Sequence, residues 1–334
     1  MNELIEIIAE VAQGFEGDQK LTDLLTAGAI YSGADAIKYQ LVYADELATP
    51  DYEYYRLFKS LEMDQDVWEE VSQKIHKNGR NLYFDIFGKK SLAIAKKVAA
   101  DGVKISTTEF YNRSLIKDAL EGFKKIYISV GGISSEDIDS LEKDLLAQYS
   151  GKVCLMYGFQ AEPTPLADNN ILKLKSFKAR YSGYQIGFMD HSDGGTEEAY
   201  NLILLAMGTE IDAVEKHITL DRALEIEDYI SGLPPGDFKK YVEKIRRYEE
   251  ALGSDNLVLT KLENEYRKKA SKLVVAVTDL KKGYVLSGED VVLKRCGTLI
   301  STAPVRKLED AVNKQLTEDI KQNTPISEEQ LCEN

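Results

Sequence analysis

The sequence has few of the residues that build disulfides or thiolate metal sites: its three cysteines, Cys154, Cys296 and Cys332, lie far apart in 334 residues. An odd number of cysteines without a Cys-X-X-Cys pair indicates neither a disulfide framework nor a thiolate zinc site. No apolar run reaches the roughly 18 residues of a membrane span, and the first residues, MNELIEIIAEV, carry acids where a secretory signal carries cations. We therefore expect a cytoplasmic protein with no membrane anchor.

Basic residues are also scarce relative to acidic ones, at 42 Lys and Arg against 56 Asp and Glu, which gives a formal net charge of -14. Such a balance disfavours tracking of a phosphate backbone, so we expect no nucleic-acid partner. Hydrophobic residues make up 43% of the chain, which is enough for a large core. The length then predicts one large α/β domain with a small appended one.

Short β-branched segments alternate with helical segments along the first three quarters of the chain, a pattern typical of βα units and a parallel sheet. The eight predicted strands are 5–11, 36–41, 82–87, 103–106, 125–130, 153–159, 184–189 and 213–218. Eight strands, each followed by a helix, predict a TIM (β/α)8 barrel.

The pattern changes after the last predicted helix. A charged stretch follows, and then short strands joined by Lys-Gly and Ser-Gly turns, with too few residues for further βα units. We predict a barrel domain over 1–258, a linker over 259–272 and a small β-rich domain over 273–334.

One aromatic-rich segment, 42–63, interrupts the alternation after the second predicted strand. It is long enough to form a lid over a site or a contact between subunits. The alternative is a loop that packs only on itself.

Polar side chains stand near the carboxyl ends of the predicted strands, where TIM barrels place their catalytic groups. They are Glu10, Lys38, Gln40, Asp85, Lys104, Gln160, His191, Glu215 and His217. A barrel interior built for stability alone carries branched apolar residues, so this set favours a working site.

Two of the three histidines, His191 in MDHSD and His217 in EKHIT, fall at the ends of the last two predicted strands. Neutral imidazoles there suit a divalent ion such as Mn²⁺, which would polarise a carbonyl. The alternative is an imidazole hydrogen-bonded to Asp190 or Glu215, with a structural or acid–base role.

Lys38 and Lys104 place two cations at the predicted barrel mouth, which suits the phosphate or carboxylate of a small anionic substrate. The alternative is an ion pair of these lysines with Glu10, Asp85 or Glu109.

These motifs, taken together and in this order, resemble the N-acetylneuraminate (sialic acid) synthase family, in which a TIM barrel is joined to a C-terminal antifreeze-like (SAF) domain. The likeness spans nearly the whole chain. Its most specific segments are IAEVAQGFEGD at 8–18, GADAIKYQ at 33–40, VKISTTEFYN at 103–112, GFMDHSDGG at 187–195, VEKHITLDR at 214–222 and AVTDLKKGYVLSGEDVVLKR at 276–295.

The resemblance implies a metal-assisted condensation of phosphoenolpyruvate with the open-chain aldehyde of an acylated hexosamine, which gives a nonulosonic acid and phosphate. It implies His191 and His217 as ligands of Mn²⁺, or of Mg²⁺ or Co²⁺, with Glu10 orienting sugar and water and Asp228 contacting a sugar hydroxyl. The implied phosphoenolpyruvate-binding and neighbouring polar residues are Lys38, Lys104, Thr107, Ser129, Gln40 and Glu109. Arg295 matches the SAF-domain arginine that reaches the partner subunit's substrate, which implies a homodimer with swapped SAF domains.

Several positions depart from the family pattern. The family's NHNG is GFEG here, and its STPF is FDIF, so Asp85 replaces a phosphate-binding hydroxyl. Met189 replaces a serine, and Gln160 and Glu162 replace an asparagine and a tyrosine. These changes imply a divergent branch with a different amino sugar or anionic partner. The alternatives are an aldolase-type or epimerase-type metal enzyme on another anionic sugar, and a catalytically silent carbohydrate-binding dimer.

Overall fold

The computed structural model describes residues 4–297 and 303–333. The chain divides into two compact units, Met1–Ser254 and Asp255–Asn334, each of which has its own hydrophobic core.

The first unit is built on a closed barrel of eight parallel strands in which neighbours in sequence pair with each other and β8 pairs with β1. The strands are β1 (Glu6–Ala12), β2 (Ala36–Leu41), β3 (Asn81–Ile86), β4 (Gly102–Ile105), β5 (Lys125–Ser129), β6 (Val153–Tyr157), β7 (Gln185–Asp190) and β8 (Ala213–His217). The predicted TIM barrel is thereby confirmed.

Helices cover the outside of the barrel and complete the main core. They are α1 (Gln19–Ser32), α2 (Ala44–Leu47), α3 (Tyr55–Ser60), α4 (Gln65–Lys77), α5 (Lys89–Lys97), α6 (Arg113–Gly122), α7 (Ser135–Leu141), α8 (Leu172–Arg180), α9 (Glu198–Met207) and α10 (Pro235–Leu252). Local signals set the ends of α1, because the Asp18 side chain accepts from the Leu21 N–H and Gly33 takes a left-handed φ of 83°. Beyond α7 the chain widens into a π-helical turn and then tightens into a 3-10 turn up to Lys152, so the helix predicted there is α-helical only in its first part.

The barrel interior has an apolar middle and a polar floor. The middle is a small separate cluster of Ile8, Ala36, Tyr83, Tyr127, Cys154, Met156, Met189 and Ala213. At the floor, Glu6 accepts hydrogen bonds from the hydroxyls of Tyr83 and Tyr127. Because side chains alternate with period two along a strand, the next inward position of β1 after Ile8 is Glu10, at the opposite end of the barrel.

The aromatic-rich segment 42–63 contains the short helices α2 and α3. The Glu46 carboxylate accepts from the backbone N–H groups of Lys90 and Ser91, which ties the segment to the first turn of α5. The rings of Tyr52 and Phe58 stack at 6.1 Å between centroids. The segment therefore packs both on itself and on the barrel.

The second unit is rich in short strands, with β9 (Leu273–Ala276) antiparallel to β10 (Val291–Lys294), and β11 (Gln315–Leu316) antiparallel to β12 (Leu331–Cys332). It begins with a helix, α11 (Lys261–Ala270), which lies in the predicted linker and starts at a capping box of Thr260 and Glu263. Across the described part of the chain, no helix has both the length and the apolar character needed to cross a membrane.

Candidate active site

A cavity of about 430 Å³ opens at the carboxyl ends of the barrel strands. Its polar lining includes Glu10, Lys38, Gln40, Asp85, Lys104, Ser106, Thr107, Ser129, Gln160, His191, Glu215 and His217. Leu47 and Phe58, from α2 and α3, form part of its apolar wall. The segment 42–63 thus contributes to the rim of the cavity, as a lid would.

Strand register explains why these side chains meet. Glu10 lies opposite Lys38 in the β1–β2 pair, and Asp85 lies opposite Lys104 in the β3–β4 pair. Parallel strands in register present such partners on the same face, at the same height in the barrel. Residues far apart in sequence are thereby placed in one charged layer.

Both lysines of this layer form buried ion pairs. The Lys38 ammonium contacts Glu10 and lies 2.8 Å from Asp85 Oδ2 and 3.5 Å from Glu215 Oε2. The Lys104 ammonium lies 2.6 Å from Glu215 Oε1 and 3.9 Å from Asp85 Oδ2. Three carboxylates therefore surround two ammonium groups. The alternative stated from the sequence, that the two lysines form ion pairs, is confirmed for Glu10 and Asp85. Glu215, rather than the predicted Glu109, is the third partner.

The two glutamates of the layer differ in protonation. Burial raises the pKa of Glu10 to about 8, because the attraction of Lys38 is offset by repulsion from Glu215 and Asp85. Burial also raises the pKa of Glu215, but Lys104 and Lys38 outweigh this effect and bring that pKa down to about 2. Of the two carboxyl groups, Glu10 is therefore the one favoured to hold a proton and Glu215 the one favoured to stay ionised.

His191 and His217 lie at the ends of β7 and β8 with ring centroids 5.2 Å apart. Burial lowers the pKa of each imidazole to about 3, assisted at His191 by the neighbouring His217 ring. The carboxylates considered as their partners are engaged elsewhere, Asp190 with Lys216 and Glu215 with Lys104. The rings are neutral, and each Nδ1 is buried without a hydrogen-bond partner in the structure.

Neutral imidazoles with unpaired nitrogens have the chemistry of ligands for a divalent transition ion. Asp228 Oδ2 lies 3.9 Å from His217 Nδ1. Within residues 4–297 and 303–333, no group of three or more His, Cys, Asp and Glu side chains could hold a metal ion. An ion at this place would have His191 and His217 as its protein ligands and would need substrate and water to supply the others.

Hydroxyl groups line the side of the cavity formed by β4 and β5. Thr107 Oγ1 and Ser129 Oγ are 2.7 Å apart, and Thr107 also donates to the Gly131 carbonyl. Ser106 Oγ is buried without a hydrogen-bond partner in the structure. With the Lys104 ammonium close by in the same cavity, these groups form a set of donors for an anion.

A second pocket, of about 240 Å³, adjoins the first and shares Gln160 with it. Gln160 Nε2 donates to Asp228 Oδ1 at 2.7 Å and to Glu162 Oε1 at 2.8 Å. The structure thus brings together three of the predicted substrate-contacting residues, on one side of the mouth.

The remaining predicted residues have their hydrogen-bond partners outside the charged layer. Gln40, at the rim, accepts from Gln13 Nε2 at 2.7 Å. Glu109 is buried and accepts from Asn112 Nδ2 at 2.8 Å. Arg295 belongs to the second unit, where its exposed guanidinium donates to the Ala270 carbonyl at 3.3 Å. Its predicted role toward a partner subunit stays a prediction.

One buried polar network was not predicted. Lys216, on the outward face of β8, donates to Asp190 Oδ1 at 3.1 Å and to the carbonyl of Ser192 at 2.9 Å. Its only sequence signal is a lysine inside a strand between two inward-facing residues, Glu215 and His217. Because Asp190 and Lys216 immediately precede the two histidines, this network fixes the strand ends that carry the imidazoles.

Comparison with known proteins relates this architecture to a family. Residues 25–256 match the NeuB family, and residues 272–331 match the SAF domain. An uncharacterized protein of Methanocaldococcus jannaschii is 29% identical, over 89% of this chain and 86% of its own.

Two further relatives have stated activities. The N,N'-diacetyllegionaminic acid synthase of Legionella pneumophila is 25% identical, over 90% of this chain and 88% of its own. The N-acetylneuraminic acid (sialic acid) synthetase of Leptospira borgpetersenii, solved in complex with citrate, superposes with a TM-score of 0.74 at 25% identity, over 80% of this chain and 93% of that one. The chain therefore belongs to the NeuB family, the N-acetylneuraminate synthase family that its sequence resembles, and carries a C-terminal SAF domain.

Proposed function

We propose that this protein condenses phosphoenolpyruvate with the open-chain aldehyde of an N-acyl amino sugar to form a nonulosonic acid and inorganic phosphate. The observation that carries the proposal is that one cavity holds two neutral imidazoles together with a lysine and a set of hydroxyl donors. The activities of the Legionella and Leptospira relatives support the reaction class.

The atoms balance as follows. The enol carbon C3 of phosphoenolpyruvate forms a bond to the sugar aldehyde carbon, whose oxygen takes up a proton. Water adds to C2, and phosphate leaves with its bridging oxygen. The product is a 2-keto acid, and one water is consumed for each phosphate released.

Several of these side chains have a role in this scheme. Lys104, Ser106, Thr107 and Ser129 bind the anionic three-carbon substrate, because they are the cationic and hydroxyl donors on one side of the cavity. Burial raises the pKa of Glu10, which favours its protonated form, so it can give a proton to the aldehyde oxygen as the new carbon–carbon bond forms.

The second substrate is the amino sugar. Asp228 and Gln160 are hydrogen-bonded to each other and offer further polar groups to its hydroxyls. A divalent ion, most suitably Mn²⁺, would be held by His191 and His217 and would polarise the aldehyde carbonyl. Arg295 from a second copy of the chain would complete the site in a homodimer with swapped SAF domains.

The test is phosphate release by the full-length protein incubated with phosphoenolpyruvate, Mn²⁺ and a panel of N-acyl hexosamines. We expect sugar-dependent release, at a rate lowered at least about 100-fold in His191→Ala. His76→Ala is the matched control, because this histidine lies on the surface and pairs with Asp101. No release with any sugar in the panel overturns the proposal.

The metal assignment has its own test. Calorimetric titration with Mn²⁺ should show one site in the wild type and in His76→Ala, and a much weaker one in His191→Ala. Equal affinity in all three proteins contradicts the two-imidazole site. Absence of both Mn²⁺ binding and turnover would instead favour the silent carbohydrate-binding dimer.

A further inference from the structure

Asp85 is a carboxylate of the charged layer to which the proposed reaction gives no role. Its side chain is 3% exposed and lines the main cavity. Oδ2 lies 2.8 Å from Lys38 Nζ and 3.9 Å from Lys104 Nζ. Oδ1 is buried and has no hydrogen-bond partner in the structure. A buried, unpaired carboxylate oxygen beside a ligand cavity calls for a hydrogen-bond donor from the ligand.

Charge counting shows why this matters for an anion. The layer places the carboxyl groups of Glu10, Asp85 and Glu215 around the ammonium groups of Lys38 and Lys104, so the two lysines offer an incoming anion no surplus of positive charge. The ammonium of Lys38 contacts three carboxylates and its side chain is 0% exposed, whereas Lys104 is 7% exposed, so Lys104 is the ammonium more open to a ligand. Asp85 lies within 3.9 Å of that same ammonium, so an anion bound there stands next to a carboxylate.

Two oxyanions in contact repel each other, and the repulsion grows as water is excluded from around them. A single proton between them replaces the repulsion with a charge-assisted hydrogen bond. A phosphate monoester can supply this proton, because its second ionisation has a pKa near 6.

We propose that Asp85 makes the cavity bind phosphoenolpyruvate with its phosphate singly protonated, the proton being shared between a phosphate oxygen and Asp85 Oδ1. This inference rests on the proposed function and adds the ionic form of the substrate that the site selects. Asp85 is then a specificity-determining residue, which disfavours the fully ionised phosphate and any anion that has no proton to share.

The experiment measures the protons taken up on binding. Phosphoenolpyruvate is titrated calorimetrically into the metal-free protein at pH 8, in buffers of different ionisation enthalpy. Free phosphoenolpyruvate has lost the phosphate proton at this pH, so the wild type should take up close to one proton more per bound ligand than Asp85→Ser. Asp85→Asn, which keeps the shape of the side chain, should behave like Asp85→Ser.

The affinity gives a second readout. One linked proton weakens wild-type binding about tenfold for each pH unit between 7 and 9. The affinity of Asp85→Ser for phosphoenolpyruvate should depend less steeply on pH, by close to one proton. This variant should therefore bind phosphoenolpyruvate at least about tenfold more tightly than the wild type at pH 9. The titratable groups that line the cavity with Asp85, namely Glu10, Lys38, Lys104, Glu215 and the two histidines, are the same in both proteins, so the difference isolates Asp85.

Glu121→Gln is the matched control, because it removes one carboxylate from an exposed position on α6 and should match the wild type. Equal proton uptake in the wild type, Asp85→Ser and Asp85→Asn overturns the inference, and so does failure of all three to bind phosphoenolpyruvate. Sugar-dependent turnover with equal proton uptake overturns this inference alone. Proton uptake that depends on Asp85, without turnover on any sugar, supports the inference and overturns the proposed reaction.

Discussion

Replacing Lys216 with methionine should destabilise the barrel strongly, although this residue touches no ligand. Its side chain is fully buried, and its ammonium donates to Asp190 Oδ1 at 3.1 Å, to Ser192 O at 2.9 Å and to Ser192 Oγ at 3.0 Å. Burial lowers the pKa of Lys216, which shows that desolvation of the ammonium outweighs the attraction of Asp190. Methionine has a similar volume, so the change removes the charge and the three donors without opening a cavity.

The magnitude follows from what remains at Asp190. Breaking a buried ion pair typically costs about 3–5 kcal/mol, because the other charge is left unpaired. Asp190 Oδ1 keeps two donors, the Ser192 N–H at 2.9 Å and the Ser192 hydroxyl at 2.6 Å, which places the cost at the lower end. About 3 kcal/mol corresponds to a Tm lowered by about 6–12 °C in a unit of this size.

The assay is thermal unfolding followed by circular dichroism. Lys240→Met is the control, because its ammonium is largely exposed and pairs with Asp237 on the same helix, so its Tm should shift by less than about 2 °C. Replacing both members of the buried pair, in Lys216→Met/Asp190→Leu, should recover part of the loss. A Tm for Lys216→Met within 2 °C of the wild type, or a double variant less stable than the two single losses added together, would refute the reasoning.

Three further predictions follow from the fold. Glu46→Ala removes the carboxylate that caps α5 and should cost about 1–2 kcal/mol in a thermal melt, whereas the charge-conserving Glu46→Asp should cost less. Tyr127→Phe leaves a Glu6 oxygen without its hydroxyl donor and should cost about 1–3 kcal/mol by the same measurement, and no loss would show that the floor bond is dispensable. Burial raises the pKa of the Cys154 thiol, so Ellman's reagent should titrate the other two cysteines in the native protein and all three only in denaturant; rapid reaction of three thiols in the native protein would contradict its burial.

The barrel could be predicted from the sequence because its signals are local and repeated. Each strand is a short apolar segment followed by an amphipathic helix, and the eight repeats define the architecture. The helix after β5 shows the limit of this reasoning, because apolar spacing predicts a helical segment without fixing where the α-helix gives way to a π turn.

The positions of the strand ends predict which residues line the site, but they do not predict which of these residues form ion pairs with each other. Side chains alternate between the two faces of a strand, and this alternation predicts that Lys38 and Asp85 point into the barrel mouth. Their contact depends on the stagger between neighbouring strands, which the sequence does not reveal. For the same reason the sequence leaves Glu215 open as an alternative partner of the imidazoles, whereas in the structure it pairs with Lys104. The sequence does not reveal the role of Lys216, because a buried lysine on the outer face of a strand has no periodic signal of its own.

The inward-facing side chains form layers along the barrel axis, and this layering explains how the mouth of the barrel can change while the fold persists. The apolar middle layer and the floor, where Glu6 joins Tyr83 and Tyr127, lie below the charged layer and close the barrel without it. Asp85 sits one inward position above Tyr83 on the same strand, so a change from hydroxyl to carboxylate at this point alters the charge presented to a ligand and leaves the packing beneath it intact. Lys38 supplies the compensating contact, at 2.8 Å, that makes such a carboxylate tolerable in a buried place. Because the charged layer is separate from the packed layers below it, Asp85→Ser should change the pH dependence of anion binding by close to one proton. Its Tm should stay within about 5 °C of the wild type, since the ammonium of Lys38 retains Glu10 and Glu215 as partners.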